Sequence, residues 1–293
     1  MDDFISIADI DRGKMEDLFS LAAELKRMRG KRNDLAGKTV ALIFHKPSLR
    51  TRQSFEVGVF ELGGHPMYVT DAEIKMGERE SIYDIGKVLE RYVHGIMIRT
   101  FAHANATGLA DAAGVPVING LTDLLHPCQV MGDIMTAIEH GKDPAGMVVA
   151  FVGDGNNVAN SWVNAAGNLP FTLRIAGPSG HKPQERLLAA AREKGADVTV
   201  MDDPAQAVSG ADVVYTDVWT SMGQESEAGE RRERFRPYQV NDALMALAKP
   251  DAIVLHCLPA HRGEEITDSV MDGPQSAVFD QAENRLHAQN AIM

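Results

Sequence analysis

Five short segments of this chain combine residue types able to handle an anion, a planar carbonyl group or an amine. Ser48-Leu49-Arg50-Thr51-Arg52 follows an apolar run and opens a helical pattern. The first N–H groups of a helix have no intrahelical partner and sit at the positive end of its dipole, so such a junction attracts anions. Hydroxyls from Ser48 and Thr51 would add donors, and an arginine fork matches phosphate. A capped helix with solvated arginines would read the same way, with Ser48 as the cap. His126-Pro127-Cys128-Gln129 joins an imidazole to a carboxamide, which together can hydrogen-bond a small planar group such as a carbamoyl. A core histidine near a helix start is the plainer alternative.

His256-Cys257-Leu258-Pro259 also follows an apolar run, and its thiol is open to three readings: nucleophile, metal ligand or polar contact. Zinc is the weakest of these, because neither His-and-Cys pair has the Cys-x-x-Cys spacing of a structural site. Gly153-Asp154-Gly155-Asn156-Asn157 stands where a dinucleotide fingerprint would lie but lacks G-x-G-x-x-G, which disfavours a nicotinamide cofactor. Asn157 there would present an amide to a polar ligand. Asp217-Val218-Trp219-Thr220-Ser221-Met222-Gly223 runs into a polar, charged stretch reaching Arg236. That composition suits a lid, or an inert surface insertion; Asp217 would pair with an ammonium group or cap the loop.

These segments must be held by ordered elements, and the apolar pattern supplies them. Met15, Leu18, Phe19, Ala22 and Leu25 follow helical spacing, and Thr39–Phe44 reads as a buried strand. Further strands are expected at 66–69, 95–98 and 115–118, with helices through Phe55–Leu62 and Ile82–Leu89. A long helix over about 121–140 leads to a second series of strands at 147–152, 173–176, 197–201, 212–215 and 252–255, with a helix at 183–194. Strands alternating with helices indicate α/β architecture, here two doubly wound parallel-sheet domains joined by helices. Gly141-Lys142-Asp143-Pro144 is the expected boundary, since Gly and Pro end helices. The expected division is 1–140 plus a C-terminal helix at 277–293, and 141–276. Ligands of open α/β sheets sit beyond the carboxyl ends of the strands, where the chemistry-bearing segments fall.

Composition narrows the partners. The chain has 293 residues with 29 Lys+Arg against 41 Asp+Glu, a formal charge of −12. An acidic surface repels nucleic acid and anionic membranes, so an anionic ligand would need locally converging arginines. The longest uncharged run, Gly155–Leu173, holds five asparagines and a proline and is a poor membrane span. Two cysteines, Cys128 and Cys257, are too few for a secreted disulfide scaffold. The acidic start Met1-Asp2-Asp3 lacks the regions of a signal peptide, and a soluble cytoplasmic protein is expected.

Taken in this order, the segments resemble the ornithine carbamoyltransferases of the aspartate/ornithine carbamoyltransferase superfamily, over essentially the whole chain. The resemblance implies a carbamoyl phosphate cradle at Ser48, Leu49, Arg50 and Thr51. It makes Arg99 the arginine that polarises the carbamoyl oxygen, His126, Pro127, Cys128 and Gln129 the carbamoyl-recognising motif, and Arg285 the arginine completing the site from the C-terminal helix. Asn157, Asp217, Ser221 and Met222 match residues that hold the amino-acid end of ornithine, while Cys257 and Leu258 match those beside its reacting amine and are counted with the carbamoyl phosphate-binding residues. Arg99, His126, Cys257 and Arg285 are the expected catalytic set. The Ser221-Met222-Gly223 loop and the cysteine in His256-Cys257-Leu258-Pro259 separate this pattern from aspartate carbamoyltransferases, which resemble it in the first two motifs. Also implied are carbamoyl phosphate and L-ornithine as ligands, no cofactor or metal, and a homotrimer, or a multiple of trimers, built by the first domain.

Two positions depart from the family pattern. Leu49 stands where many members have threonine, which removes a hydroxyl and keeps the backbone N–H. Lys75 stands where some members have glutamine, in a loop that in the family reaches a neighbouring subunit. There it would add positive charge near the phosphate, or remain a solvated lysine. Carbamoyl acceptors other than ornithine, such as putrescine or an acylated ornithine, and a non-catalytic binding protein are the competing readings.

Overall fold

A computed structural model describes residues 3–220 and 225–293. Thr39–Phe44 (β1) is buried at every residue but its first, as expected of a strand covered on both faces. It pairs in parallel with His65–Thr70 (β2) on one side and Gly95–Arg99 (β3) on the other, and β3 pairs with Val117–Leu121 (β4). The order is β2-β1-β3-β4. Ala41, Ile43, Ile96, Ile98 and Val117 point into one core under the helices Ile82–Leu89 and His103–Ala112.

The second sheet repeats the scheme. Val148–Val152 (β5), Thr172–Ala176 (β6), Val198–Met201 (β7), Val213–Thr216 (β8) and Ile253–His256 (β9) run parallel in the order β7-β6-β5-β8-β9. Ala150, Val152, Val214 and Val254 form its core with Ile266 and Val278. Both sheets therefore reverse strand order beside their first strand, between β1 and β3 and between β5 and β8. Loops part at such a switch point, and ligands bind there. Ser48–Thr51 and Arg99 lie at the first, Gly153–Asn157 and Asp217 at the second.

Two boundaries differ most from the sequence reading. The fourth strand lies further along than 115–118, because Pro116 has no N–H to give and pairing with β3 continues at Asn119 and Leu121, with Gly120 bulged out between them. A Cβ on Gly120 would come within 2.5 Å of Met97 Sδ, so a larger residue there would have to displace that buried side chain. The linking helix starts at Pro127 rather than near 121, since Leu121 is still in β4 and Thr122 closes a turn onto Leu125. Pro127 takes the first helical position, where a missing N–H costs nothing.

The chain divides into Met1–Gly132 with Arg285–Met293, and Asp133–Asn284. Both cuts fall inside helices, Pro127–Glu139 and Val278–Ile292, rather than at the Gly141–Pro144 turn. In the first unit Gly132 lies against the backbone of Arg285, where an added Cβ would stand 3.3 Å from its Cα. In the second, Asn284 Nδ2 donates to Thr136 Oγ1 at 3.0 Å and Glu139 Oε2 at 2.7 Å. Among the described residues no helix is long and apolar enough to cross a membrane.

Candidate active site

In the first unit, β1 delivers the chain into the helix Leu49–Glu61, whose N-cap Ser48 accepts from Thr51 N at 3.3 Å. The cap points the first turn's free N–H groups beyond the strand end. Thr51 is fully buried, and its Oγ1 accepts two guanidinium bonds: Arg99 Nη1 at 3.2 Å and Arg285 Nη2 at 3.0 Å. Arg99 ends β3, Arg285 lies in the C-terminal helix, and both are nearly buried. Two guanidinium groups sharing one neutral hydroxyl concentrate positive charge away from water. That is the local cationic centre an acidic protein needs in order to hold an anion. Arg50, half-buried in the same turn, has no hydrogen bond or ion pair among the described residues. Leu49 is 65% exposed, so only its backbone N–H serves the helix end.

His126, Pro127 and Gln129 are buried at the start of the helix Pro127–Glu139. Burial, and then the positive charges of Arg285 and Arg99, push the His126 imidazole well below its ordinary pKa. It is therefore neutral at physiological pH and adds no third cation. Cys128 is turned elsewhere. Its thiol donates to the Asn119 carbonyl of β4 at 3.4 Å, and burial pushes its pKa up to about 12. Any ligand contact by Cys128 would come from its backbone. Lys75 is exposed at the end of the short helix Asp71–Ile74 with φ of 46°.

In the second unit, Asn156 caps the helix Asn157–Ala166, its Oδ1 accepting from Val158 N and Ala159 N. The same side chain donates through Nδ2 to Asp217 Oδ2 at 2.6 Å. Asp217 Oδ1 accepts from Val218 N at 2.8 Å and from Cys257 Sγ at 2.9 Å. Asp217 is 5% exposed, so a buried carboxylate is aimed by three donors and keeps lone pairs for a cationic ligand. Asn157 is half-buried in the first helical turn. Ser221 and Met222 lie outside the described residues.

Leu258 holds φ of 59°, a left-handed conformation that strains a residue with a Cβ. Its N–H donates to His256 Nδ1 at 2.8 Å, and His256 Nε2 faces Glu265 Oε1 at 3.0 Å, with both side chains fully buried. The His256 backbone N–H donates to Gln281 Oε1 at 2.8 Å. These bonds fix the turn carrying Cys257. Donor atoms of Asp217, His256 and Cys257 lie within 4.8 Å of one another, a spacing that fits a metal. Both ring nitrogens of His256 are already engaged, however, so hydrogen bonding accounts for the cluster.

Of the residues singled out in the sequence, the structure gathers Thr51, Arg99 and Arg285 around one hydroxyl and places Asp217 against Cys257, with His126 and Gln129 buried at one helix start. The Asn156 side chain, Glu265 and Gln281 are supporting contacts the sequence reading did not single out. The available signal for Asn156 was its position directly before a helix, which favours a capping amide.

The profile described as "Aspartate/ornithine carbamoyltransferase, carbamoyl-P binding domain" matches residues 2–139, and its partner, the "Asp/Orn binding domain", matches 145–293. An ornithine carbamoyltransferase of Syntrophus aciditrophicus is 50% identical over 99% of this chain and 98% of its own length. One from Pelobacter propionicus is 52% identical over 99% and 96%. Among solved structures, the ornithine carbamoyltransferase of Pyrococcus furiosus superposes with a TM-score of 0.95 at 47% identity, covering 99% of this chain and 95% of that one. The anabolic enzyme of Campylobacter jejuni gives 0.95 at 34% identity over 100% and 97%. With both domain profiles matched and half the residues identical end to end, this chain belongs to the aspartate/ornithine carbamoyltransferase family.

Proposed function

We propose that this chain transfers the carbamoyl group of carbamoyl phosphate to the side-chain amine of L-ornithine, giving citrulline and phosphate. The observation that carries the reading is the Thr51 hydroxyl shared by Arg99 and Arg285 beside a capped helix end. A phosphate entering there would replace one weak acceptor with charged oxygens, and gain Arg50 together with the free N–H groups of the first turn. The relatives at about 50% identity, each an ornithine carbamoyltransferase, support ornithine as the acceptor.

The neutral amine attacks the carbamoyl carbon, and negative charge builds on the former carbonyl oxygen. Arg99 and the neutral His126 act as its preorganised donors. Gln129 holds the carbamoyl nitrogen. As the intermediate collapses, the carbon–oxygen bond to phosphate breaks and the amine's proton leaves with the phosphate, which Ser48, Arg50, Thr51 and Arg285 receive. Asp217 and Asn157 hold the amino-acid end of ornithine, with Ser221 and Met222 joined to them on sequence grounds. Cys257 acts as a positioning contact, because its thiol already donates to Asp217. Orientation and charge stabilisation carry the rate, with no covalent intermediate. A cytoplasmic homotrimer is part of the same proposal.

Product analysis with carbamoyl phosphate and a panel of amines tests the reading. Ornithine should give citrulline, while putrescine and N-acetylornithine should react at least about a hundredfold more slowly, since each lacks a charged group the site would pair. Preference for either of those amines overturns the assignment. Arg99→Leu should lose at least about a hundredfold in rate, the scale of one oxyanion donor.

A further inference from the structure

Two carboxylates stand at the switch point of the second sheet. Asp154 follows β5 and Asp217 follows β8, and they are 8% and 5% exposed. The loops bearing them run backbone against backbone. Gly153 has φ of 132°, and a Cβ there would stand 3.8 Å from Asp217 O and 3.9 Å from Trp219 Cδ1. Asn156, two residues beyond Asp154, donates to Asp217. Left to themselves, two buried carboxylates on adjoining loops would compete for any cation entering the site.

Arg231, 5% exposed in the helix Ala228–Phe235, answers only one of them. Its Nη2 donates to Asp154 Oδ2 at 2.5 Å, its Nε to the Trp219 carbonyl at 2.6 Å, and its Nη1 faces His181 Nδ1 at 3.2 Å. Phe235, one turn along, lies over Trp219 with ring centroids 6.1 Å apart and meets the His181 ring at 5.0 Å. The guanidinium therefore grips the chain two residues after Asp217 and, through Asp154, the loop that supplies Asp217 with its Asn156 donor.

We propose that Arg231 is a positioning residue for the amine half of the reaction, fixing the Asp217 and Asn156 loops by clasping the Trp219 carbonyl and the Asp154 carboxylate together. By pairing with Asp154 it also leaves Asp217 as the one carboxylate here that an incoming ammonium meets. The raised pKa of Asp154, about 6 through burial first, Arg231 lowering it and Asp217 raising it, fits a pair that is intact at neutral pH. This inference rests on Asp217 being the amine-side carboxylate.

Steady-state kinetics of Arg231→Met and Arg231→Lys, with each substrate varied in turn, test it. Arg231→Met should raise the ornithine KM about tenfold or more, the scale of one lost charge-assisted hydrogen bond, and leave the carbamoyl phosphate KM within about twofold. Arg231→Lys keeps the charge without the fork and should recover part of the loss. Thermal melts accompany both variants. If Arg231→Met does not fold, Arg231→Lys carries the test, with a rise of several-fold expected in the ornithine KM alone. An unchanged ornithine KM, or equal shifts in both KM values, overturns the inference. Wild type assayed alongside separates the two claims. Inactive wild type removes the functional reading and this inference with it, whereas active wild type with an indifferent Arg231 variant removes only the latter.

Discussion

Thr51→Val removes one hydroxyl oxygen and keeps the branched shape. The oxygen is the common acceptor for Arg99 at 3.2 Å and Arg285 at 3.0 Å, in a fully buried position. A hydrogen bond from a charged donor contributes roughly 1.5–3 kcal/mol, and these distances lie toward the longer end for such bonds. Loss of both should destabilise the chain by about 3 kcal/mol. At roughly 2 °C per kcal/mol for a protein of this size, the melting temperature should fall by about 6 °C. The guanidinium groups would also lose the contact that holds them ready for an anion, so inorganic phosphate should bind about tenfold more weakly. Calorimetric melts and phosphate titration of wild type, Thr51→Val and Thr51→Ser measure both effects. Thr51→Ser keeps the oxygen and should behave as wild type. If Thr51→Val melts within about one degree of wild type and binds phosphate equally well, the shared hydroxyl does not organise the arginine pair.

Three further outcomes follow from the site's electrostatics. His126 is held neutral by burial and by Arg285 and Arg99, so it should contribute no inflection between pH 6 and 9. At subsaturating ornithine, activity should instead climb up to about tenfold per unit toward alkaline pH, because the attacking amine has a reference pKa of about 10.4; a flat profile with chemistry rate-limiting contradicts this. Cys128, pushed up to about 12 and fully buried, should resist thiol reagents in the native chain while partly exposed Cys257 reacts. Modification of both thiols before unfolding would refute the inward orientation of Cys128. Asp154 has a folded pKa of about 6 against an ordinary 3.8, so its protonation stabilises the fold below 3.8, and that stabilisation is lost as pH rises through 6. Urea melts of wild type relative to Asp154→Asn should show this loss, on the order of 3 kcal/mol between about pH 4 and 6, and a constant difference above it. No slope in that window would mean the carboxylate is not desolvated.

Much of the architecture was legible without coordinates, because the signals are local. A buried strand reads as an apolar run such as Thr39–Phe44, and a helix start reads as Ser48 before a periodic stretch. Both depend on residues within a few positions of one another. Alternation of such elements was enough for two parallel-sheet units, and the motifs fell at strand ends because the ligands of this architecture bind there. Segment ends were harder to read. Asn119-Gly120-Leu121 continues β4 against its propensity, with Gly120 bulged out of the pairing and packed closely on the Met97 side chain.

What tertiary structure alone decided is which of these side chains meet. Thr51 receives Arg99 from 48 residues away and Arg285 from 234 residues away, and no local pattern names a shared hydroxyl as their acceptor. The same holds for Asn156 on Asp217, for Cys128 facing β4, and for Arg231 clasping Asp154 across 77 residues. Residue type and spacing determine what chemistry a segment can offer. Strand order then determines its partners, because a parallel sheet brings distant loops side by side only after the crossovers have placed β1 beside β3 and β5 beside β8.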